Sequence, residues 1–284
     1  MKILFIFFIM VFIAATAYAE QDTPVIVKFN NLLTVRTSLG YNLMIFDQTG
    51  QDDNLQTNCP WDFGLELGIK NVFAGFSVSI PFLYDRNHDK SQAFNASLNH
   101  YRDKSYSDLY FRYYNGFNDG GRHNIDLRII NAGFSYTHIF GQDHSVRAVY
   151  KLDSRQTVSN GSFLVGGGMF FSSIRSDSAM METYSDWQNS FYFGPTVGYS
   201  HTFVIKENYF INVLSVFGAN GIISNSGFSF GFQALPRFSI GYHGKKQSIN
   251  LSGKFSYLVG NYNTELQYGM LSGDITLAYL RRFF

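Results

Sequence analysis

Ser200 and His201 are adjacent in "GYSHTF", and serine with histidine is the pair that many hydrolases use for nucleophilic attack. Adjacent residues of a β-strand point to opposite faces of the sheet, so these two side chains cannot act on each other. A hydrolytic site would need His201 together with a serine from a neighbouring strand. We keep that arrangement as an alternative hypothesis and otherwise expect no enzymatic activity.

The other residues that could bind a metal ion, a phosphate group or a substrate do not form a recognisable site. No two of the seven histidines have the close spacing of metal ligands, and Cys59 is the single cysteine of the chain. The glycines of "VGGGMFF" lack the Lys-Ser/Thr ending and the helix of a phosphate-binding loop. The sequence therefore predicts neither a metal ion nor a cofactor. The histidines are His88, His100, His123, His138, His144, His201 and His243.

Alternation of apolar and polar residues is the dominant pattern along the chain. In "DFGLELGIK", for example, Phe63 and Leu65 alternate with Asp62 and Glu66. The same period of two recurs in many long segments, and no segment has a convincing helical period. The pattern predicts an all-β protein in which each strand has one apolar face.

Strand length and composition distinguish a membrane barrel from a soluble β-sandwich. The alternating segments are long enough for the roughly 9–11 residues with which a strand crosses a bilayer, whereas strands of globular proteins usually have about five or six. Mean hydropathy is only −0.07, yet the chain contains 30 Phe, 19 Tyr, 2 Trp and 26 Gly. Lipid-facing and lumen-facing residues alternate in a transmembrane barrel, which produces such values. We therefore predict an antiparallel up-and-down transmembrane β-barrel.

We count about twelve strands, with ten as the alternative because glycines blur the phase at 116–131 and 220–242. The strands are predicted to begin near residues 32, 62, 72, 106, 125, 145, 161, 188, 208, 227, 247 and 266. Longer polar stretches at 47–61, 83–105 and 175–187 are interpreted as extracellular loops, and short turns as periplasmic. Surface binding through these loops, 83–105 above all, is a further alternative function.

Ten charged residues lie in the polar phase of the predicted strands. A charge that faces lipid at the bilayer midplane costs about 2–4 kcal/mol, so we expect these side chains to face the lumen. They are Arg36, Glu66, Asp108, Arg112, Asp126, Arg128, Arg147, Lys151, Lys254 and Asp274. They would either pair and close the barrel or line a narrow aqueous pore of mixed sign. The predicted role is thus structural or that of a passive narrow conduit. If the alternative hypothesis of a hydrolase built on His201 holds, its substrate in such a barrel would be lipid.

Residues 1–19 have the composition of a secretory signal peptide. Lys2 precedes the apolar run "ILFIFFIMVFIAA", and Ala17, Tyr18 and Ala19 form a small-x-small cleavage site. We predict that one barrel domain, residues 20–284, remains in the outer membrane of a Gram-negative cell. With 22 basic and 21 acidic residues, the chain has no charge excess for nucleic acid. Outer-membrane lipids are the expected surroundings, and a monomer is favoured.

The last residues, "SGDITLAYLRRFF", alternate up to Phe283 and end on Phe284. A final strand that ends in Phe resembles the signal by which the barrel assembly machinery recognises its substrates. The apolar phase runs through Phe283 and leaves Phe284 out of step with the common pattern. We predict that these two residues form the assembly signal and that the machinery is a partner.

Two segments resemble a known family: "NIDLRIINAGFSYTHIFGQDHSVRAVYKLDSRQTVSNGSFLVGGG" and "SFYFGPTVGYSHTFVIKENYFINV". The shared features are a strand–short turn–strand unit, then Gln156, Ser159, Gly161, Ser162 and Gly166, and then the "GPTVGYSHTF" strand. On these features the chain resembles uncharacterised outer-membrane barrel proteins, mostly from Bacteroidota, that are known only as a domain of unknown function. The resemblance covers nearly the whole mature chain. It implies fold and location and supplies no activity.

Overall fold

The computed structural model describes residues 25–48, 55–58, 60–80, 92–118, 124–141, 143–177, 187–225, 227–261 and 267–284. Within them, twelve antiparallel strands close into a barrel, because each barrel strand pairs with the next and the last one pairs with the first. The barrel strands are β2 (Leu33–Gln48), β4 (Trp61–Ile69), β5 (Val72–Ser79), β6 (Gln92–Arg102), β7 (Ser105–Asn118), β8 (Asn124–Ile139), β10 (Asn160–Ser176), β11 (Gln188–Ile205), β12 (Tyr209–Ser224), β13 (Gly227–His243), β14 (Gln247–Asn261) and β15 (Gln267–Phe283). The predicted all-β barrel is confirmed.

Three short strands and one short helix lie outside this ring in the part of the chain that the structure describes. β1 (Ile26–Lys28) pairs with β9 (Ser154–Gln156), and helix α1 (Val146–Tyr150) precedes β9. β3 (Leu55–Thr57) pairs with β2 on one side and with β7 on the other. Among the described residues, no helix has the length and apolar character needed to cross a membrane.

Side chains alternate between the lumen and the outer wall. In β4, Asp62 and Glu66 are at most 9% exposed, whereas Phe63 and Leu67 are 48% and 45% exposed. Because successive residues of a strand point to opposite sides, the apolar phase of the sequence becomes the outer surface. That surface is an apolar belt whose members include Leu39, Phe63, Leu67, Phe76, Leu109, Phe111, Phe134, Val165, Val197, Leu251, Ile275 and Leu277.

The barrel has two different rims. Leu33 pairs with Phe283 at the rim where both chain termini meet the wall, and we call this rim the terminal end. We call the opposite rim the loop end. β4, β5 and β6 have only 9, 8 and 11 residues, and β3 lies above them, where it joins β2 directly to β7. On β7 this junction follows a bulge at Gly116, whose φ of 87° is unfavourable for other residues.

The prediction of a wall strand that begins near residue 145 is wrong. Residues 146–150 form α1 instead, and the Ser145 hydroxyl caps this helix by accepting a hydrogen bond from the Ala148 amide at 3.1 Å. Val146, Val149 and Leu152 are all buried, so the segment packs as an apolar insert and has no lipid-facing side. A short alternating run is consistent with a wall strand and with a short buried helix, so the alternation alone could not distinguish them.

The prediction of a loop at 83–105 is also wrong where it can be compared with the structure. Residues 81–91 lie outside the described residues, so the comparison covers 92–105. Residues 92–102 form β6, in which Phe94 and Leu98 face outward between polar residues. The structure contains one strand that was not predicted, β6, and lacks the one predicted near residue 145, so the count of twelve is right. The strands between these two places, β7 and β8, run opposite to the predicted direction. The turn at 103–104 therefore lies at the terminal end, although it was predicted to be extracellular.

Candidate functional site

The connection between β8 and β10 folds into the barrel at the terminal end. We call this segment, residues 140–159 without residue 142 (which lies outside the described residues), the plug. Its apolar side chains Val146, Val149 and Leu152 are at most 1% exposed. They pack in one cluster with inward-facing residues from seven of the twelve barrel strands, at the terminal end of the lumen. The wall residues of this cluster include Phe73, Tyr101, Tyr106, Ile139, Leu164, Phe210, Leu214, Val216 and Leu280.

Lys151 joins the plug to the wall through a buried ion pair. Its ammonium lies 2.5 Å from Oε2 of Glu66 on β4 and donates to Oδ1 of Asn99 on β6 at 2.6 Å. The rings of Phe73 and Tyr101 lie 5.2 Å and 5.7 Å from the same nitrogen. Lys151 is thus one of the predicted lumen charges, but it reaches the lumen from the plug, and the strand predicted to carry it does not exist.

Arg147 fastens the same side of α1 to the rim. Its guanidinium pairs with Asp153 within the plug and donates to Oδ1 of Asn71 and to the Lys70 carbonyl, both at 2.6 Å. These partners belong to the β4–β5 turn. Arg147, predicted to face the lumen from a wall strand, therefore lies on the plug and holds it at the rim.

Tyr150 anchors α1 to the far wall. Its hydroxyl donates to Oδ1 of Asn212 on β12 at 3.1 Å, and the amide of Asn250 on β14 donates to the Val149 carbonyl at 3.4 Å. Burial raises the pKa of the Tyr150 hydroxyl well above its ordinary value, so this group stays a hydrogen-bond donor over the whole physiological range.

The two ends of the chain also hold the plug. The Arg282 guanidinium, on the last strand, donates to the Leu152 carbonyl and to Oγ of Ser248, the latter at 2.6 Å. It stacks 3.7 Å from the centre of the Phe29 ring. Residue 29 follows β1, which pairs with β9 of the plug. The plug is therefore attached to both the N-terminal segment and the closing strand.

His144 is the buried titratable group at the start of the plug. It is fully buried, and its burial lowers the imidazole pKa to about 4, with the neighbouring His201 acting in the same direction. The imidazole is therefore neutral near pH 7. A neutral imidazole can be buried at far lower cost than a cation.

Above the plug lies a polar chamber of about 350 Å³ in the middle of the barrel. Seven of the ten predicted lumen charges line it, and Arg237 and Asp62 line it as well. The seven are Arg36, Glu66, Asp108, Arg112, Lys151, Lys254 and Asp274. Arg237 was missed because glycines and Pro236 obscure the phase of β13. Counting back from Ile240, which faces outward, through the buried Ser239 would have placed Arg237 inward.

Asp126 and Arg128 were predicted to face the lumen, and this prediction is wrong. They lie on the outer wall near the loop end, where Arg128 pairs with Asp126 at 3.0 Å and with Asp177 at 3.1 Å. The alternate residues Ile125 and Leu127 face inward and are buried. The two phases are exchanged here because the lumen is apolar near the loop end, while a charged outer wall close to a rim need not meet lipid.

A second apolar cluster lies in the lumen between the chamber and the loop end. Its members come from strands around the barrel, and the least exposed have no measurable exposure. They are Met44, Ala93, Tyr114, Phe117, Ile125, Leu127, Ile129, Ile174, Tyr192, Ile222, Leu258 and Met270, with Phe170 packed against them. We call this group the loop-end cluster. Over the described residues, the polar chamber thus lies between this cluster and the plug.

His201 does not meet a serine hydroxyl within the described residues. Its Nδ1 lies 3.4 Å from the hydroxyl of Tyr199 on the same face of β11. Ser200 points to the lumen, where its Oγ accepts a hydrogen bond from Asn212 at 3.1 Å. The two adjacent residues therefore face opposite sides, as the period of a strand requires.

The predicted assembly signal lies at the seam of the barrel. Phe283 is the last residue of β15, and its register partner is Leu33 at the start of β2. The side chains of Phe283 and Phe284 are exposed, whereas the preceding residue of β15, Arg282, is buried and contacts the plug. The apolar phase through Phe283 is therefore the outward phase, as the alternation indicated.

The fold and the site define a closed antiparallel β-barrel with an internal plug. Similar solved structures include a bacterial polysaccharide outer membrane secretin (9% identity, TM-score 0.43, 89% of this chain and 99% of that chain covered). They also include the beta domain of the Bordetella autotransporter Brka (11%, 0.44, 89% and 100%) and the P. putida toluene transporter TodX (7%, 0.29, 88% and 89%). No curated protein matches the sequence. The chain belongs to the family described as Domain of unknown function (DUF4421), whose model matches residues 20–280.

Proposed function

We propose that this protein is an outer-membrane β-barrel whose lumen is closed at rest by its own plug, so that it does not act as an open passive pore. The apolar belt of the outer wall supports insertion in a bilayer, since an apolar surface of that size is costly in water. The signal-peptide composition of residues 1–19 supports export. The terminal end would then face the periplasm.

The observation that carries the proposal is the attachment of the plug to opposite sides of the wall. Lys151 binds Glu66 on β4, and Tyr150 binds Asn212 on β12. Polar contacts at both sides keep α1 across the lumen, and the buried Val149 and Leu152 fill the space between them. Charged groups inside a barrel without such an insert would instead line a water-filled channel.

Planar-bilayer recording of the purified protein tests the closed lumen. We expect no steady conductance from the wild type. A variant in which a Gly/Ser linker of equal length replaces residues 145–156 lacks the plug, and adding Leu127→Ser and Tyr192→Ser puts two polar groups into the loop-end cluster. The combined variant should form ohmic channels because the plug is gone and the packing of the loop-end cluster is weakened.

Two outcomes would contradict the proposal. Steady ohmic channels from the wild type would mean that the lumen is open at rest. Silence from the combined variant, with the barrel still folded, would mean that the plug and the loop-end cluster are not what closes it. The matched control is Lys245→Met in an exposed turn at the same rim, which should behave as the wild type does.

Assembly and surroundings form part of the same proposal. A monomeric barrel would insert through the barrel assembly machinery, with the strand that ends in Phe283 and Phe284 as the recognised element. The support is the position of Phe283, which pairs with Leu33 at the seam between the first and last barrel strands. Cell fractionation of the expressed chain, with the folded form found outside the outer-membrane fraction, would contradict it.

A further inference from the structure

Contacts between chamber residues balance the chamber charges only in part: within the described residues, Lys151 and Arg36 pair with Glu66, and the other cations form no ion pair. Five cations line it: Arg36, Arg112, Lys151, Arg237 and Lys254. Four acids line it: Asp62, Glu66, Asp108 and Asp274. The acids have hydrogen-bond donors of their own, since Ser77 donates to Asp62, Asn99 to Asp108, Thr276 to Asp274 and Lys151 to Glu66. One oxygen of each acid is satisfied in this way, and three of these four donors are neutral, so three of the acids are hydrogen-bonded without a cation.

Arg237 has a like charge beside it in the sheet. Its register partner on β14 is Lys254, and like charges placed directly opposite on neighbouring strands destabilise a sheet. Lys254 has a compensating register partner on its other side, Asp274. Arg237 has no such partner on β12, where it lies opposite Leu214. Excess positive charge therefore remains on this part of the wall.

Arg112 adds to this charge from the opposite side of the barrel. It lies on β7, five strands along the ring from β13, and its guanidinium stacks 5.2 Å from the Tyr110 ring. Within the described residues, neither Arg112 nor Arg237 forms a hydrogen bond or an ion pair with a protein group. Asp108 and the hydroxyls of Tyr101 and Tyr106 lie within electrostatic range of Arg237 without contacting it.

We propose that the chamber binds a small oxyanion, that is, a solute carrying a phosphate or carboxylate group, between Arg112 and Arg237. A guanidinium without a protein partner in a confined space is costly, and phosphate and carboxylate match its fork of N–H donors. The volume of about 350 Å³ is within the range of small-molecule sites. The site depends only on the chamber and does not require the barrel to open for transport.

Thermal unfolding with inorganic phosphate and with acetate as probes tests this site. The mature chain is refolded into detergent with the probe already present, because both ends of the chamber are bounded by packed side chains. Chloride replaces the probe at constant ionic strength in the reference series. A ligand that binds only the folded state raises its stability, so we expect the melting temperature to rise by roughly 2–4 °C with at least one probe.

Arginine variants assign the effect to the chamber. Arg237→Gln and Arg112→Gln should each lose at least half of the rise, and Arg237→Lys should keep more of it than Arg237→Gln because the charge remains. Arg128→Gln removes a cation of the outer wall and should keep the full rise. If Arg237→Gln does not refold, Arg112→Gln on the opposite wall makes the same comparison. A wild-type rise no larger than in chloride, or an equal loss in Arg128→Gln, would overturn the proposal.

Discussion

Lys151 and Glu66 are 85 positions apart in the chain, yet the ammonium of one lies 2.5 Å from the carboxylate of the other inside the barrel. The lysine belongs to the plug and the glutamate to a short strand of the wall. This pair therefore links the state of the plug to the charge of the chamber. A second cation, Arg36, lies 3.9 Å from the same carboxylate.

Removal of Lys151 should destabilise the folded barrel because Glu66 then keeps only the weaker counter-charge of Arg36 at 3.9 Å and loses its hydrogen bond from the ammonium. Breaking a buried pair on one side typically costs about 3–5 kcal/mol. We expect Lys151→Met to lower the free energy of unfolding in urea by an amount of that order. Lys151→Met combined with Glu66→Gln should lose less than the two single variants added together.

Lys245→Met is the control for this pair, since Lys245 is an exposed lysine in a turn of the same rim. It should change the free energy of unfolding by no more than about 0.5 kcal/mol. Strict additivity of Lys151→Met and Glu66→Gln would show that the two groups do not interact.

Acid should weaken the plug through His144. The imidazole has a pKa of about 4 in the folded protein against an ordinary 6.5, so between these values the unfolded chain binds a proton that the folded chain does not. Stability then rises with pH across this window and falls as pH drops from 6.5 towards 4, by at most about 3 kcal/mol. Urea unfolding of the wild type and of His144→Asn over this range measures the effect.

The variant His144→Asn should lose the share of the pH dependence between 4 and 6.5 that His144 contributes, whereas the share of the other buried histidines, His201 and His243, should remain. His138→Asn, which alters a histidine on the outer phase of β8, should keep it. Identical pH profiles for the wild type and His144→Asn would contradict the assignment.

Proline at position 27 should loosen the plug without opening the wall. Val27 pairs with Arg155 in the two-stranded sheet of β1 and β9, and proline removes the amide donor of that position. We expect amide hydrogen exchange at residues 145–156 to become at least several-fold faster in Val27→Pro. Exchange in β11 and β12 should stay unchanged, and Val27→Ala should resemble the wild type.

Thiol labelling of whole cells should separate the two rims. In a Cys59→Ser background, a membrane-impermeant reagent should label Asp177→Cys at the loop end in intact cells. Lys245→Cys at the terminal end should be labelled only after the outer membrane is permeabilised, because the terminal end is expected to face the periplasm. Labelling of Lys245→Cys in intact cells would mean that the barrel is oriented the other way.

Deletion of Phe283 and Phe284 should impair insertion because it removes the end of the strand that closes the barrel against Leu33. We expect less heat-modifiable folded protein in outer-membrane fractions of the deletion strain. Phe284 deleted alone should have the smaller effect, since it lies beyond the last residue of β15. Normal folded protein from the double deletion would contradict this expectation.

The period of two along the chain was sufficient to predict the barrel, its apolar outer wall and the inward position of Arg36, Glu66, Asp108 and Arg112. A bilayer tolerates apolar side chains and penalises charged ones, so a long alternating strand has only one favourable orientation. That physical constraint acts locally, residue by residue. It can therefore be recognised from sequence without knowledge of which strands are neighbours.

The tertiary structure alone decided that the connection between β8 and β10 folds into the barrel as a plug. Residues 145–153 alternate as a wall strand would, but the lumen of the terminal end is itself apolar, so the apolar residues of this segment can pack inside the barrel instead. Asp126 and Arg128 face outward for a related reason: near the loop end the inner face is the apolar one. Near the rims, where a charged outer wall need not meet lipid, whether a face is lumen or outer wall depends on what the other strands place opposite it, and the alternation of one strand does not decide it there.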